Sequence, residues 1–308
     1  MKNKIVWIDN LKGLAIIAVV IGHMASPLSG FIYAWHIPLF FFVSGLLLKS
    51  EASLKQSTKK DFFRLIIPFI VFSLIGLFFE YLKHRLFPGF LFINGKLNFR
   101  QEIIGIFWWM DFSHLHHYGF VLWFLPALFW SKVVYRILLK VIRNKYLISL
   151  VSLLILLFAS NRSWLLPFGI DKAFLGLFWL SLGWLLAGRY KVFCLAALFL
   201  LPIPQTDIAL KVISGYGVIY SLLVINTLVG FIRYLPEKLK IFQQFGKESM
   251  LIFVIHPYIN NLSYFLTVYL LGLIWVYEVM LSVIILVGIL SLKYYAKTTK
   301  YAGIINWF

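Results

Sequence analysis

The sequence predicts an all-α, polytopic membrane bundle of about ten transmembrane helices with both termini cytoplasmic. Three observations predict it. Hydrophobic residues make up 62% of the chain and charged residues only 13%, against roughly a quarter charged in a soluble globular protein. Apolar runs approaching the 20 or so residues that cross hydrocarbon recur from end to end. The 29 Lys and Arg residues gather in alternate loops, as cations do in a bacterial-type inner membrane.

The spans are read at 11–29, 33–49, 65–82, 118–135, 146–160, 173–188, 191–203, 214–234, 249–270 and 273–292. The seventh is short and ends at Pro202 and Pro204. Ile103 to Met110 is apolar but too short to cross, and is read as interfacial or re-entrant. With the N-terminus in the cytoplasm, all cations but Lys83, Arg85, Lys96, Arg100, Arg162, Lys172 and Lys211 fall on the inner side. That bias, about three to one, sets the orientation and favours an even number of spans.

The longest connection, 83–117, lies on the outer side and carries Pro88-Gly89, Asn94-Gly95 and the group His114, His116 and His117. A connection of that length in a compact protein is usually a lid or a binding element. No Pro-, Ser- or Gln-rich linker and no repeat divides the chain. It is therefore read as one transmembrane domain, 1–308, with no appended soluble domain.

A net charge of +18 would suggest nucleic acid in a soluble chain. Here no basic stretch is interleaved with exposed aromatics, so nucleic acid is not expected as a partner. The one cysteine, Cys194, lies in an apolar run and has no intramolecular disulfide partner. The N-terminal apolar stretch is read as a retained first span rather than a cleaved signal, because Asp9 interrupts it and many spans follow.

Polar groups inside these spans are the candidates for chemistry, since an ionisable side chain in hydrocarbon costs several kcal/mol unless it faces other helices or water. His23 lies in the first span, about 18 Å along the helix by rise. It reads either as a proton-handling group or as a neutral histidine hydrogen-bonded between helices. Lys12 precedes it by eleven residues, which at about 100° per residue puts both on one face, roughly 16 Å apart. Lys12 reads as a snorkelling cation or as an anion contact on the cytoplasmic side. Asp9, one turn earlier, is placed to pair with Lys12 or to meet the helix dipole.

His36 opens the second span, with Pro38 in its first turn. Ser44-Gly45 reads as a close-packing step between helices. Arg64, in Arg64-Leu65-Ile66-Ile67-Pro68, is an anchor for the third span or a fork for phosphate. His256-Pro257 sits mid-span in the ninth helix, as a kink with a bonded histidine or as a functional group. No metal is expected: His114, His116 and His117 have no acid or thiol at ligand spacing. Phosphate loops and the motifs of soluble metalloproteases and serine hydrolases are absent.

Three stretches together resemble membrane acyltransferase family 3. The first is Trp7-Ile8-Asp9-Asn10-Leu11-Lys12-Gly13-Leu14-Ala15, continuing to Val19-Val20-Ile21-Gly22-His23. The second is His36-Ile37-Pro38-Leu39-Phe40-Phe41-Phe42-Val43-Ser44-Gly45. The third group comprises Arg64 to Pro68, Trp123-Phe124-Leu125, and Phe245-Gly246-Lys247-Glu248-Ser249 with His256-Pro257. The pattern looks most like the small subgroup related to fucose 4-O-acetylases.

The resemblance implies transfer of an acyl group, usually acetyl, from cytoplasmic acyl-CoA to a hydroxyl of a cell-surface glycan or its lipid-linked precursor. It maps the family's catalytic histidine onto His23 and its basic positions onto Lys12 and Arg64. Many members carry arginine where this chain has Lys12, which keeps the charge but not a bidentate grip. The expected sites are then His23 and His36 for catalysis, Lys12 and Arg64 for acetyl-CoA, and Asp9, His117 and His256 for the acceptor. Expected partners are membrane lipid, the glycan or lipid-linked sugar, and polysaccharide-assembly proteins or further copies of the chain. The location is the inner (cytoplasmic) membrane. The alternative is a transporter or flippase for a glycolipid or small polar solute, which intramembrane histidines and broken helices would suit. A non-catalytic scaffold is the third reading.

Overall fold

The computed structural model describes residues 2–24, 26–48, 53–86, 98–108, 118–159, 166–186, 202–204, 215–234 and 240–297. Among these, 89% of residues are helical and none is in a strand. In chain order the α-helices are α1 (Lys2–Gly22), α2 (Ser29–Tyr33), α3 (His36–Leu46), α4 (Leu54–Asp61), α5 (Ile67–Leu86), α6 (Phe99–Phe107) and α7 (Phe124–Val141), then α8 (Lys145–Ala159), α9 (Ile170–Leu186), α10 (Gly215–Tyr234), α11 (Lys240–Lys247), α12 (Ser249–Tyr264) and α13 (Trp275–Lys297). The predicted seventh span up to residue 201, Cys194 and the histidines 114, 116 and 117 lie outside the described residues.

Seven stretches among the described residues are helical, apolar and long enough to cross a membrane: Ser29–Leu46, Leu54–Leu86, Val121–Val141, Pro167–Leu186, Gly215–Arg233, Ser249–Tyr269 and Trp275–Ala296. Two further predicted spans are helices outside that set. α8 is 15 residues, about 22 Å by rise and short of a hydrocarbon core. α1 is 21 residues, but its uninterrupted apolar run starts only after Lys12.

Several predicted boundaries move, each for a local reason. The first helix begins nine residues before the predicted start and ends at Gly22, so His23 sits on its terminal turn rather than inside the span. The chain beyond runs into Ser26-Pro27, which cannot continue the helix. The second span is two helices, broken at Ala34-Trp35. The carbonyl of Ala34, left by that break, accepts the Ser221 hydroxyl of α10, as backbone at membrane depth requires. The third span is the end of one long helix that starts at Leu54, because nothing between Leu54 and Ile66 breaks it. A single π-turn, Phe62–Ile66, lies within it.

The chain forms two compact units. One holds residues 33–236 and the other residues 1–32 with 237–308. In the 33–236 unit α3 packs on α9, and α9 on α7 and α8. The α3–α9 contact is backbone to backbone. A Cβ on Gly45 would strike the Leu180 carbonyl, and one on Gly183 would strike the Phe42 carbonyl. Small residues at a helix crossing allow this approach, and dispersion and weak C–H contacts then hold the pair. Gly45 thus has the close-packing role its sequence context suggested.

Lys172, expected among the outer loop cations, is instead buried in the first turn of α9. It is 3.4 Å from Asp171, with its ammonium 6.0 Å from the Trp123 ring centre. A long aliphatic stem with a paired head is the form in which a lysine tolerates such a position.

Candidate active site

The unit of residues 1–32 and 237–308 contains most of the predicted site. Its frame is the crossing of α1 and α11. A Cβ on Gly13 would meet the Phe242 carbonyl, and one on Gly246 would meet the Asp9 carbonyl. The two glycines therefore bring the two backbones together reciprocally at the level of Asp9 and Lys12. Here the Lys12 ammonium donates to Asp9 Oδ1 at 3.4 Å, the pairing expected from a one-turn spacing. Asp9 and Asn10 are buried and Lys12 is half-buried. α11 ends at Lys247, which is exposed. The next residue, Glu248, accepts from Lys293 of α13 at 2.7 Å.

At the other end of α1 the helical pattern is held through His23, whose N–H donates to the Val19 carbonyl at 3.1 Å. The next donor departs from it: Met24 N–H goes to Ile21 at 3.2 Å instead of to Val20. The Val20 carbonyl then accepts the Asn260 side-chain amide of α12 at 2.9 Å. An exposed helix end would use water for this; here a buried asparagine does it. The end of α1, and with it His23, is pinned to α12.

α12 brings a second histidine to the same place. His256 precedes Asn260 by four residues, so the two share a helix face. His256 is fully buried. Its ring centre is 5.3 Å from that of His23, with the ring planes 37° apart. His256 Nδ1 lies 2.7 Å from the Phe253 carbonyl oxygen. A carbonyl only accepts, so Nδ1 carries the proton and, in the neutral ring, Nε2 carries the lone pair.

The cause is local. Residue 257 would donate its N–H to the carbonyl four residues back, which is Phe253, but Pro257 has none. The preceding histidine supplies the missing donor. A half-buried imidazole beside a second one of fixed tautomer can accept, hold and return a proton.

His36 and Arg64 belong to the 33–236 unit. His36 is the first residue of α3 and is 1% exposed, with the Tyr33 ring 5.5 Å away. Arg64 lies in the π-turn and is exposed. Near it, on the preceding and facing helices, is a network the sequence reading did not single out. Asp61 is buried and receives Lys132 at 3.2 Å and Arg136 at 2.7 Å. Nε and Nη1 of Arg136 are buried and have no acceptor among the described residues. Both cations, counted only as inner-side charges from the sequence, lie within α7. The signal that would have found them is their spacing of four, which puts both on one helix face, together with the scarcity of acids in the chain.

The structure thus brings Asp9, Lys12, His23 and His256 into one unit. It adds Asn260, Gly13 and Gly246, which sequence reasoning passed over. Asn260 was findable as an amide one turn beyond the histidine of a membrane helix. His117 lies outside the described residues. Among the described residues no three His, Cys, Asp or Glu side chains gather as a metal site would need.

Neither a curated protein nor a solved structure matches the chain. A family model described as an acyltransferase domain matches residues 5–293. That match takes in nearly all of α1, the paired histidines and every predicted site residue, and nearly the whole length of the chain. With its run of apolar helices, this multi-pass membrane protein belongs to membrane acyltransferase family 3.

Proposed function

We propose that the chain is an O-acyltransferase of the inner (cytoplasmic) membrane. It moves an acetyl group from cytoplasmic acetyl-CoA to a hydroxyl of a cell-surface glycan or its lipid-linked precursor, in the manner of the fucose 4-O-acetylase-like subgroup. The observation that carries this reading is the arrangement of α1. A cation, Lys12, stands on the same stripe as a terminal histidine, His23, about 16 Å further on by helix rise. That distance is comparable to an extended pantetheine arm.

Acetyl-CoA approaches from the cytoplasm and its phosphates meet Lys12. Its arm follows α1, and the thioester reaches His23. His23 takes the proton of the acceptor hydroxyl. The oxygen attacks the thioester carbonyl, the carbon–sulfur bond breaks, and the proton passes to the departing thiolate. The products are the acetyl ester and free CoA. A covalent acetyl-histidine is the other route to the same products. His256 and Asp9 line the path on the His23 and Lys12 sides. His36 as a second catalytic histidine, Arg64 as a phosphate contact and His117 on the acceptor side are carried over from the family resemblance alone.

Ten spans with both termini inside would place the two ends of α1 in the two compartments that this transfer needs. The distribution of Lys and Arg supports that orientation. Purified protein in lipid, given acetyl-CoA labelled in the acetyl group and the cell's lipid-linked glycan fraction, tests the proposal. Replacing His23 by Ala lowers transfer by about two to four orders of magnitude, the usual worth of a general base. Undiminished transfer by that variant overturns it.

A further inference from the structure

The paired histidines are not equivalent, and the difference is built into the backbone. Pro257 withholds the N–H that would hold the Phe253 carbonyl, and His256 Nδ1 is 2.7 Å from that oxygen. The Nδ1 proton of His256 is thereby committed, and its basic nitrogen is Nε2. His256 is fully buried, while His23, 5.3 Å away between ring centres, keeps some exposure. Two imidazoles joined nitrogen to nitrogen by a hydrogen bond of about 3 Å have centres roughly 5 Å apart. The observed 5.3 Å between centres, with the ring planes 37° apart, brings the two rings within reach of such a bond. Catalytic hydrogen bonds commonly align only when substrate is bound. Asn260, on the same face of α12, holds the Val20 carbonyl just before His23, and so ties the end of α1 to the helix that carries His256.

We infer that His256 is a positioning residue for the acyl transfer, acting through His23. Its locked Nε2 accepts one ring N–H of His23, which leaves the other His23 nitrogen as the base that meets the acceptor hydroxyl. When His23 has taken the hydroxyl proton, the N–H facing His256 donates to a neutral acceptor. The charge formed on His23 is then stabilised without a second charge in the hydrocarbon. Pro257 is the device that sets the tautomer. This inference rests on the acyltransferase reading above.

The test separates the lock from the fold. An asparagine at 256 can still donate its amide to the Phe253 carbonyl but has nothing at the Nε2 position. A glutamine can place its amide oxygen there as an acceptor. The full chain in lipid nanodiscs is assayed with labelled acetyl-CoA and the lipid-linked glycan fraction. The nitrogen shifts of labelled histidine are recorded alongside, with His256 assigned by its loss in the His256→Asn variant.

The inference expects an Nδ1–H signal for His256 in the wild type and its loss in Pro257→Ala, where the backbone N–H is restored. It expects His256→Asn to melt with the wild type, keep its KM for acetyl-CoA within twofold, and lose tenfold or more in kcat. It expects His256→Gln to recover part of that loss. An Nε2–H signal for His256 in the wild type, or full kcat in His256→Asn, overturns the inference and leaves the proposed function standing. Absence of transfer by the wild-type chain overturns both.

Discussion

Gly246 of α11 lies so close to Asp9 of α1 that a Cβ on the glycine would overlap the Asp9 carbonyl. Gly13 repeats the contact in the other direction, against Phe242. The pair seats α1 at the level of Lys12, the point from which the stripe to His23 is measured. Because both neighbours are backbone, neither can turn aside as a flexible side chain would.

Replacing Gly246 by Ala therefore forces the two helices apart. The expected cost is about 1–3 kcal/mol, the range for overpacking a close contact, seen as a lower melting temperature in detergent. Transfer falls as well, because Lys12 and α11 separate. Gly288→Ala in α13 is the control: among the described residues nothing lies within 4 Å of its Cβ position. There the same substitution leaves stability unchanged or raises it by up to about 1 kcal/mol through helix propensity. Equal melting of the two variants would contradict the contact.

Asn260 offers the second test. Its amide holds the Val20 carbonyl at the frayed end of α1. Leucine fills a similar volume but cannot donate, so a buried carbonyl loses its partner at a cost of about 1–3 kcal/mol. The effect falls on the His23 end of α1 rather than on the Lys12 end. We expect Asn260→Leu to lower kcat while leaving acetyl-CoA binding, measured by titration calorimetry, within about twofold. A selective loss of acetyl-CoA binding would place Asn260 in the wrong half of the site.

Much of this was legible in the sequence because it is local. Composition and span length predict a helical membrane protein, and a spacing of eleven puts Lys12 and His23 on one stripe. The His256–Phe253 bond is also local in origin: any residue preceding a mid-helix proline sits beside a carbonyl without its usual donor. Other features depend on residues far apart in the chain. Gly13 and Gly246 are separated by most of it, and nothing in either segment names the other. Asn260 and Val20 likewise meet only through tertiary packing. Lys172, Lys132 and Arg136 escape the sequence for a different reason. Charge counting gives each cation a side of the membrane but not a partner, whereas these three sit inside helices, where acids or an aromatic face receive them.

Asp61 shows what such a pairing is worth. Among the described residues it is the acid that faces both Lys132 and Arg136, at 3.2 and 2.7 Å. Asp61→Asn leaves two enclosed cations without their counter-charge, a change that costs about 3–5 kcal/mol when a buried pair is broken. Because both cations keep some exposure, the lower end, about 3 kcal/mol, is expected. The loss is read as early melting and poor recovery from the membrane. Arg136→Met removes one cation and leaves Lys132 paired, so it costs less. If Arg136→Met were the more damaging change, the acid would not be the hub of the network.

Lys12 carries the last prediction, because it decides between anchor and ligand contact. Its ammonium is 3.4 Å from Asp9 and half-buried. A snorkelling anchor needs only a cation with a long stem, so Lys12→Arg would then behave as wild type and Lys12→Ala would lose stability alone. A phosphate contact behaves otherwise. Removing one charge-assisted hydrogen bond costs about 1.5–3 kcal/mol, and each 1.4 kcal/mol is about tenfold in affinity. Lys12→Ala is therefore expected to raise the KM for acetyl-CoA about tenfold or more while kcat changes little. Lys12→Arg is expected to lower KM, since a guanidinium meets phosphate with two donors where an ammonium meets it as a point charge. Loss of the Lys12→Ala effect when a CoA fragment lacking phosphate carries the acetyl group would locate the contact on the phosphates. A KM unchanged in Lys12→Ala would return Lys12 to the role of anchor.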